Sequence, residues 1–145
     1  VKRIPSIAVV MTPFPYSIPT DADISEANGM MDEHEIQHVP VMDGDTLLGV
    51  ISERDLRVAG ELQDHVPSGG IPVGRVCNRE PLVVDLHDRL DRVALQMMER
   101  KVDAAIVLRE DKLAGILTTT DVCRLLAESL RSEYHVPDDD GGDAA

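Results

Sequence analysis

Aromatic side chains are almost missing from this chain of 145 residues, which has no Trp, one Phe (Phe14) and two Tyr (Tyr16 and Tyr134). Stacking platforms for single-stranded nucleic acid and aromatic cages therefore lack material. The core has to be aliphatic, with Met filling gaps. Cysteine is nearly as scarce: Cys77 and Cys123 stand far apart and form no CxxC, which excludes a disulfide framework and a cysteine-built zinc site. They read as free thiols in a reducing compartment. No apolar run approaches the roughly 20 residues of a spanning helix, and Val1-Lys2-Arg3-Ile4-Pro5 lacks the apolar stretch of a signal peptide. The expectation is a cytoplasmic protein with no membrane partner. Because the chain opens on Val1 instead of Met, it stays open whether it is a piece of something longer. Positive charge is also short, with 14 Lys+Arg against 27 Asp+Glu and a formal net charge of −13. A phosphate backbone or anionic surface would be repelled, so no nucleic-acid partner is expected. Lys is rare beside Arg, a bias that genome composition and salt adaptation explain equally well.

Catalytic constellations are missing too. No Ser with a paired His and acid, no matched carboxylate dyad and no phosphate loop emerges. His34, His38, His65, His87 and His135 show no metal-ligand spacing and read as surface residues. The expectation is a protein that is not an enzyme and requires no cofactor or metal.

What is present is a repeat. With 43% hydrophobic residues the chain can bury a core, and Gly49-Val50-Ile51-Ser52 followed by Asp55 recurs as Gly115-Ile116-Leu117-Thr118 followed by Asp121, an offset of 66. The same offset pairs Met31 with Met97, Val41 with Val107 and Leu47 with Leu113. In each copy a helix is predicted from apolar residues at three- and four-residue spacing: Ile24, Ala27, Met30 and Met31, then Leu90, Val93, Ala94, Met97 and Met98. Asp21 and Asp23 suit the N-terminus of the first, and the methionines read as core or dimer contacts. Two short strands around a turn follow, at Asp43-Gly44-Asp45 or Arg109-Glu110-Asp111, and then a second helix, Glu53 to about Leu62 or Thr119 to about Arg131. Each unit reads strand, helix, strand, strand, helix. The predicted fold is α+β, two pseudo-symmetric β-α-β-β-α repeats packed sheet to sheet, because a unit of this size is marginal alone. The expected organisation is a first repeat over 1–62, a flexible linker over 63–72, a second repeat over 73–131, and a disordered acidic tail over 132–145.

Ser52-Glu53-Arg54-Asp55 and Thr118-Thr119-Thr120-Asp121 sit where a strand runs into a helix. Such sequences form capping boxes, in which the hydroxyl accepts from a backbone N–H and the acid reaches back, contributing about 0.5–2 kcal/mol per helix. The same corner can also hold an anion on its N–H groups and hydroxyl, and a ribose on its carboxylate. Gly49 and Gly115 interrupt the preceding strands at matching places, which permits a close backbone approach or a bulge.

From about Ile7 to Leu130 the chain resembles a tandem pair of CBS (cystathionine-β-synthase-type) domains, a Bateman module. The likeness rests on Val10-Met11-Thr12-Pro13, His38-Val39-Pro40-Val41, Gly49 through Leu56 and Gly115 through Val122. It implies an intertwined module with two pseudo-symmetric clefts, usually a homodimer, binding AMP, ADP, ATP or S-adenosylmethionine as a regulatory ligand and controlling an attached or partner protein. Carried over, Asp55 and Asp121 would hold ribose hydroxyls, and Ser52, Thr118, Thr119, Thr120 and Arg54 would serve phosphate. Ile36, Gln37, His38 and Pro40, and in the second copy Val102, Asp103 and Ala104, would border the base. The second copy departs from the pattern at Val76-Cys77-Asn78 and at Ala105-Ile106-Val107, which has no proline.

The two copies differ in charge. Glu53 opposes a phosphate beside Ser52 and Arg54 offsets it, whereas Thr119 and Thr120 are neutral, and Arg100-Lys101 replace His34-Glu35. The Asp121 cleft is therefore expected to be the better phosphate site, although those bases equally suit a solvated helix end. Two functions fit: a sensor of an adenosyl ligand, or a dimerisation and interaction scaffold whose Ser/Thr-x-x-Asp motifs are only caps.

Overall fold

The repeat read from sequence reappears as geometry in a computed structural model that describes residues 3–13, 15–63 and 70–135. After a short helix α1 (Ile7–Val10) and strand β1 (Thr12–Pro13), the first copy runs β2 (Ile18–Pro19), α2 (Ile24–His34), β3 (His38–Asp43), β4 (Thr46–Ser52) and α3 (Glu53–Gln63). The second runs α4 (Val73–Val76), β5 (Leu82–Asp85), α5 (Leu90–Arg100), β6 (Ala104–Arg109), β7 (Lys112–Thr118) and α6 (Thr119–Glu133). The strand-helix-strand-strand-helix order holds in both. Ser132 and Glu133, assigned to the tail from sequence, extend α6. The tail from Val136 onward lies outside the described residues, as does 64–69 of the expected linker. Gly70 to Pro72 belong to the folded unit: Ile71 is buried, its N–H donates to Asp23 Oδ1 at 2.9 Å, and Pro72 bridges to Asp23.

Pairings obey the 66-residue offset. Ile18 pairs in parallel with Val41 as Val84 does with Val107, and Val41 faces Gly49 across an antiparallel pair as Val107 faces Gly115. In each hairpin the register slips at the next residue, making a bulge beside the glycine. The glycines also permit the other expected feature, close approach, and what approaches is the opposite copy. Thr12 of β1 pairs with Ile116 in β7, while Asn78 bridges Val50 in β4 through bonds of 2.9 and 3.0 Å. A Cβ on Gly49 would strike the Asn78 carbonyl, and one on Gly115 would come within 2.8 Å of the Thr12 carbonyl.

The leading segment of each copy is thus exchanged. Ile7, fully buried, packs with Leu82, Leu90, Val93 and Leu117 of the second copy, and its counterpart Val73 packs with Ile18, Ile24, Val39 and Leu56 of the first. Burying each such side chain contributes about 1.5–3 kcal/mol. A third cluster of Val50, Ala104, Ile106 and Ile116 joins the sheets face to face. Met31 and Met97 fill the two cores as expected, whereas Met98 is exposed.

Candidate functional site

Two clefts open where these sheets meet, one at the start of each long second helix. At α3, Ser52 N–H donates to Asp55 Oδ2 at 2.9 Å and Asp55 N–H donates to Ser52 Oγ at 3.1 Å. At α6, Thr118 N–H and Oγ1 donate to Asp121 Oδ2 at 2.9 and 3.0 Å, and Asp121 N–H donates back to Thr118 Oγ1 at 3.3 Å. Both motifs are therefore complete capping boxes. Their carboxylates differ in what remains. Asp121 is 5% exposed, and its Oδ1 accepts from Arg124 Nη1 at 3.2 Å. Val58 stands where Arg124 stands one repeat later, and Asp55 is half-buried with its Oδ1 accepting no hydrogen bond among the described residues.

Around Asp121 the cleft has a volume of about 820 Å³, and around Asp55 about 390 Å³. Ile36 joins Thr118, Thr119, Thr120 and Asp121 in the first, while Val102 and Ala104 join Ser52, Arg54 and Asp55 in the second. Gln37, His38 and Asp103 line both. Each motif therefore shares its cleft with the loop before the second strand of the other copy. Carbonyls of Gln37 and Asp103 tie the corners together, accepting from Glu53 and Thr119 N–H at 2.9 Å. Pro40 lines neither cleft: it is buried in β3, and Ile106, one repeat later, belongs to the cluster between the sheets.

One expectation fails on this crossing. Lys101 lines the Asp55 cleft and Glu35 lines the Asp121 cleft, so the bases assigned to the Asp121 phosphate corner are on the other side. Arg100 instead donates to the Glu80 carbonyl at 3.2 Å. The reason is topological, because the end of each first helix turns toward the opposite motif. Glu35 and Lys101 close their helices in the left-handed region, at φ 53° and 54°, a cap usually made by Gly.

Sequence reasoning missed Thr12, Pro13, Pro15, Tyr16 and Arg124 in the larger cleft, and Arg57 and Asn78 in the smaller. The available signal was again the offset, since Thr12 and Asn78 are 66 apart. Two histidines also leave the surface role. The His34 ring stacks on Tyr16 with centroids 3.7 Å apart, and His38 sits between the clefts. Burial pushes the His38 pKa down, and Asp103 and Asp55 pull it partly back. At the edge of the first core, burial raises the Cys77 thiol pKa against the lowering effect of Arg79. No group of three metal-binding side chains converges among the described residues.

A CBS domain family model matches residues 2–61 and again residues 73–128. The chain belongs to the CBS domain family. Among solved structures, this CBS domain pair is similar to CBSX2 in complex with AMP, at 30% identity and a TM-score of 0.74 over 86% of this chain and 97% of that one. The CBS domain pair of protein MJ0100, in complex with 5′-methylthioadenosine and S-adenosyl-L-methionine, shares the fold at 22% identity and a TM-score of 0.78, over 88% and 99% of the two chains. A homoserine O-acetyltransferase from Methanocorpusculum labreanum is 31% identical over 115 residues, 76% of this chain. The CBS pair spans 22% of that enzyme's length. No described helix is long and apolar enough to cross a membrane.

Proposed function

We propose that this CBS domain pair is a regulatory sensor in which an adenosine-containing ligand (AMP, ADP, ATP or S-adenosylmethionine) occupies one or both clefts and controls an attached or partner protein. The observation that carries the reading is the pair of clefts related by the 66-residue offset. Each combines a helix N-terminus, a carboxylate and residues of the 36–38 or 102–104 loop. In this reading Asp55 and Asp121 take the ribose hydroxyls. Ser52, Arg54, Thr118, Thr119 and Thr120 line the phosphate ends, and Ile36, Gln37, His38, Val102, Asp103 and Ala104 border the base. The module is regulatory and not catalytic, works in the cytoplasm, and comprises repeats over 1–62 and 73–131. Exposed apolar pairs on the second helices, Val58 with Leu62 and Leu126 with Leu130, suit a homodimer contact.

A second reading has its own observation. Both capping boxes are complete and Asp121 has both oxygens engaged, as a scaffold without ligand would also have them. Thermal unfolding of the purified chain with AMP, ADP, ATP, S-adenosylmethionine and GMP separates the two. A ligand at about 100 times its Kd adds about 2.7 kcal/mol, a rise of about 5–10 °C. The sensor predicts such a shift with an adenosyl ligand and its loss in Asp55→Ala or Asp121→Ala. The scaffold predicts that these variants melt lower whatever is added, with no ligand shift in any protein.

A further inference from the structure

The clefts are related by the 66-residue offset and differ in size and in side-chain charge. The largest contrast lies at the left-handed helix ends, where Glu35 lines the Asp121 cleft and Lys101, its counterpart, lines the Asp55 cleft. Arg54 and Arg57 add two more cations to the Asp55 cleft, so that three bases balance Glu53, Asp55 and the shared Asp103, with Arg57 Nη2 3.5 Å from Glu53 Oε1. In the Asp121 cleft a single base, Arg124, faces Glu35, Asp103 and Asp121, and it is already bonded to Asp121. Two of the motif's hydroxyls there are also engaged: Thr118 Oγ1 donates to Asp121 at 3.0 Å and Thr119 Oγ1 to the Asp103 carbonyl at 3.2 Å. A dianionic phosphate meets a balanced field in one cleft and a negative one in the other. The negative cleft is the roomier and carries Pro13, Pro15, Tyr16 and Ile116 on its walls.

We propose that the two clefts divide adenosyl ligands by charge. Resting on the sensor reading above, the Asp55 cleft takes the phosphorylated ligand, and the Asp121 cleft takes a nucleoside whose 5′ end is an uncharged thioether or a cationic sulfonium. Glu35 and Lys101 set this preference as specificity-determining residues; both are exposed and in the same backbone conformation, so exchanging their charges leaves the fold unchanged.

Titration calorimetry with AMP and with 5′-methylthioadenosine tests the division in wild type, Lys101→Glu and Glu35→Lys. Wild type should bind AMP at one site per chain, and Lys101→Glu should weaken that site about tenfold at low salt while leaving methylthioadenosine binding unchanged. Glu35→Lys should open a second AMP site. Two equal AMP sites in wild type, or AMP affinities indifferent to both substitutions, would overturn the division while leaving the sensor reading standing. If wild type binds neither ligand, the division falls, and the sensor reading falls with it only if the unfolding panel with ADP, ATP and S-adenosylmethionine also shows no shift.

Discussion

At Gly49 the chain of the second repeat runs so close that the Asn78 carbonyl occupies the place of a side chain. Alanine there has no flexible neighbour to push aside. Gly49→Ala should cost about 1–3 kcal/mol, lowering the melting midpoint by about 4–10 °C. Gly29 is the control, because nothing lies within 4 Å of its Cβ position and it sits inside α2. Gly29→Ala should stabilise by about 0.5–1 kcal/mol. Both glycines at the 66-residue offset were legible as points of close approach or bulging, and they serve as both; which backbone comes near them was not. The paired aspartates show the same limit. Their capping role follows from four consecutive residues, whereas the burial of Asp121 under Arg124 and the openness of Asp55 depend on neighbours outside the motif.

Among the elements, the hairpins are most alike in register and least alike in turn chemistry. The first turns through Gly44 at φ 59°, which costs little, while the second places Glu110 and Asp111 at φ 51° and 64°. Two non-glycine residues in the left-handed region suit a type I′ turn poorly. Replacing Glu110-Asp111 by Asn-Gly should therefore raise stability by about 1 kcal/mol, seen calorimetrically as a gain of about 3–5 °C; an unchanged midpoint would show that the turn is not strained. The long helices were legible because period and caps agree over 11 to 15 residues. Helices α1 and α4, with four residues each, hold too little pattern to be read.

For the whole molecule the exchanged segments matter most. Ile7 belongs by sequence to the first repeat and by packing to the core of the second. Ile7→Ala should cost about 2–5 kcal/mol and lower one shared transition, with calorimetric and van't Hoff enthalpies still equal. Two separated transitions, with the first repeat unaffected, would show that the repeats fold independently. The charge division belongs to this scale as well, because Glu35 and Lys101 act on the motif of the opposite copy.

Sequence alone determined the repeat, the order of elements, the capping motifs and the aliphatic core, since all of these are written in short spacings between residues. It also named the residues of both Ser/Thr-x-x-Asp motifs and of the 36–38 and 102–104 loops that line the clefts. Only the tertiary structure decided which residues share a cleft. The leading segments cross between copies, each first helix ends toward the other motif, and Lys101 and Glu35 thereby exchange the clefts that their positions in sequence suggest. Such pairings join residues far apart in the chain, Val50 with Asn78 and Thr12 with Ile116, through burial between two sheets, and local spacing carries no record of them.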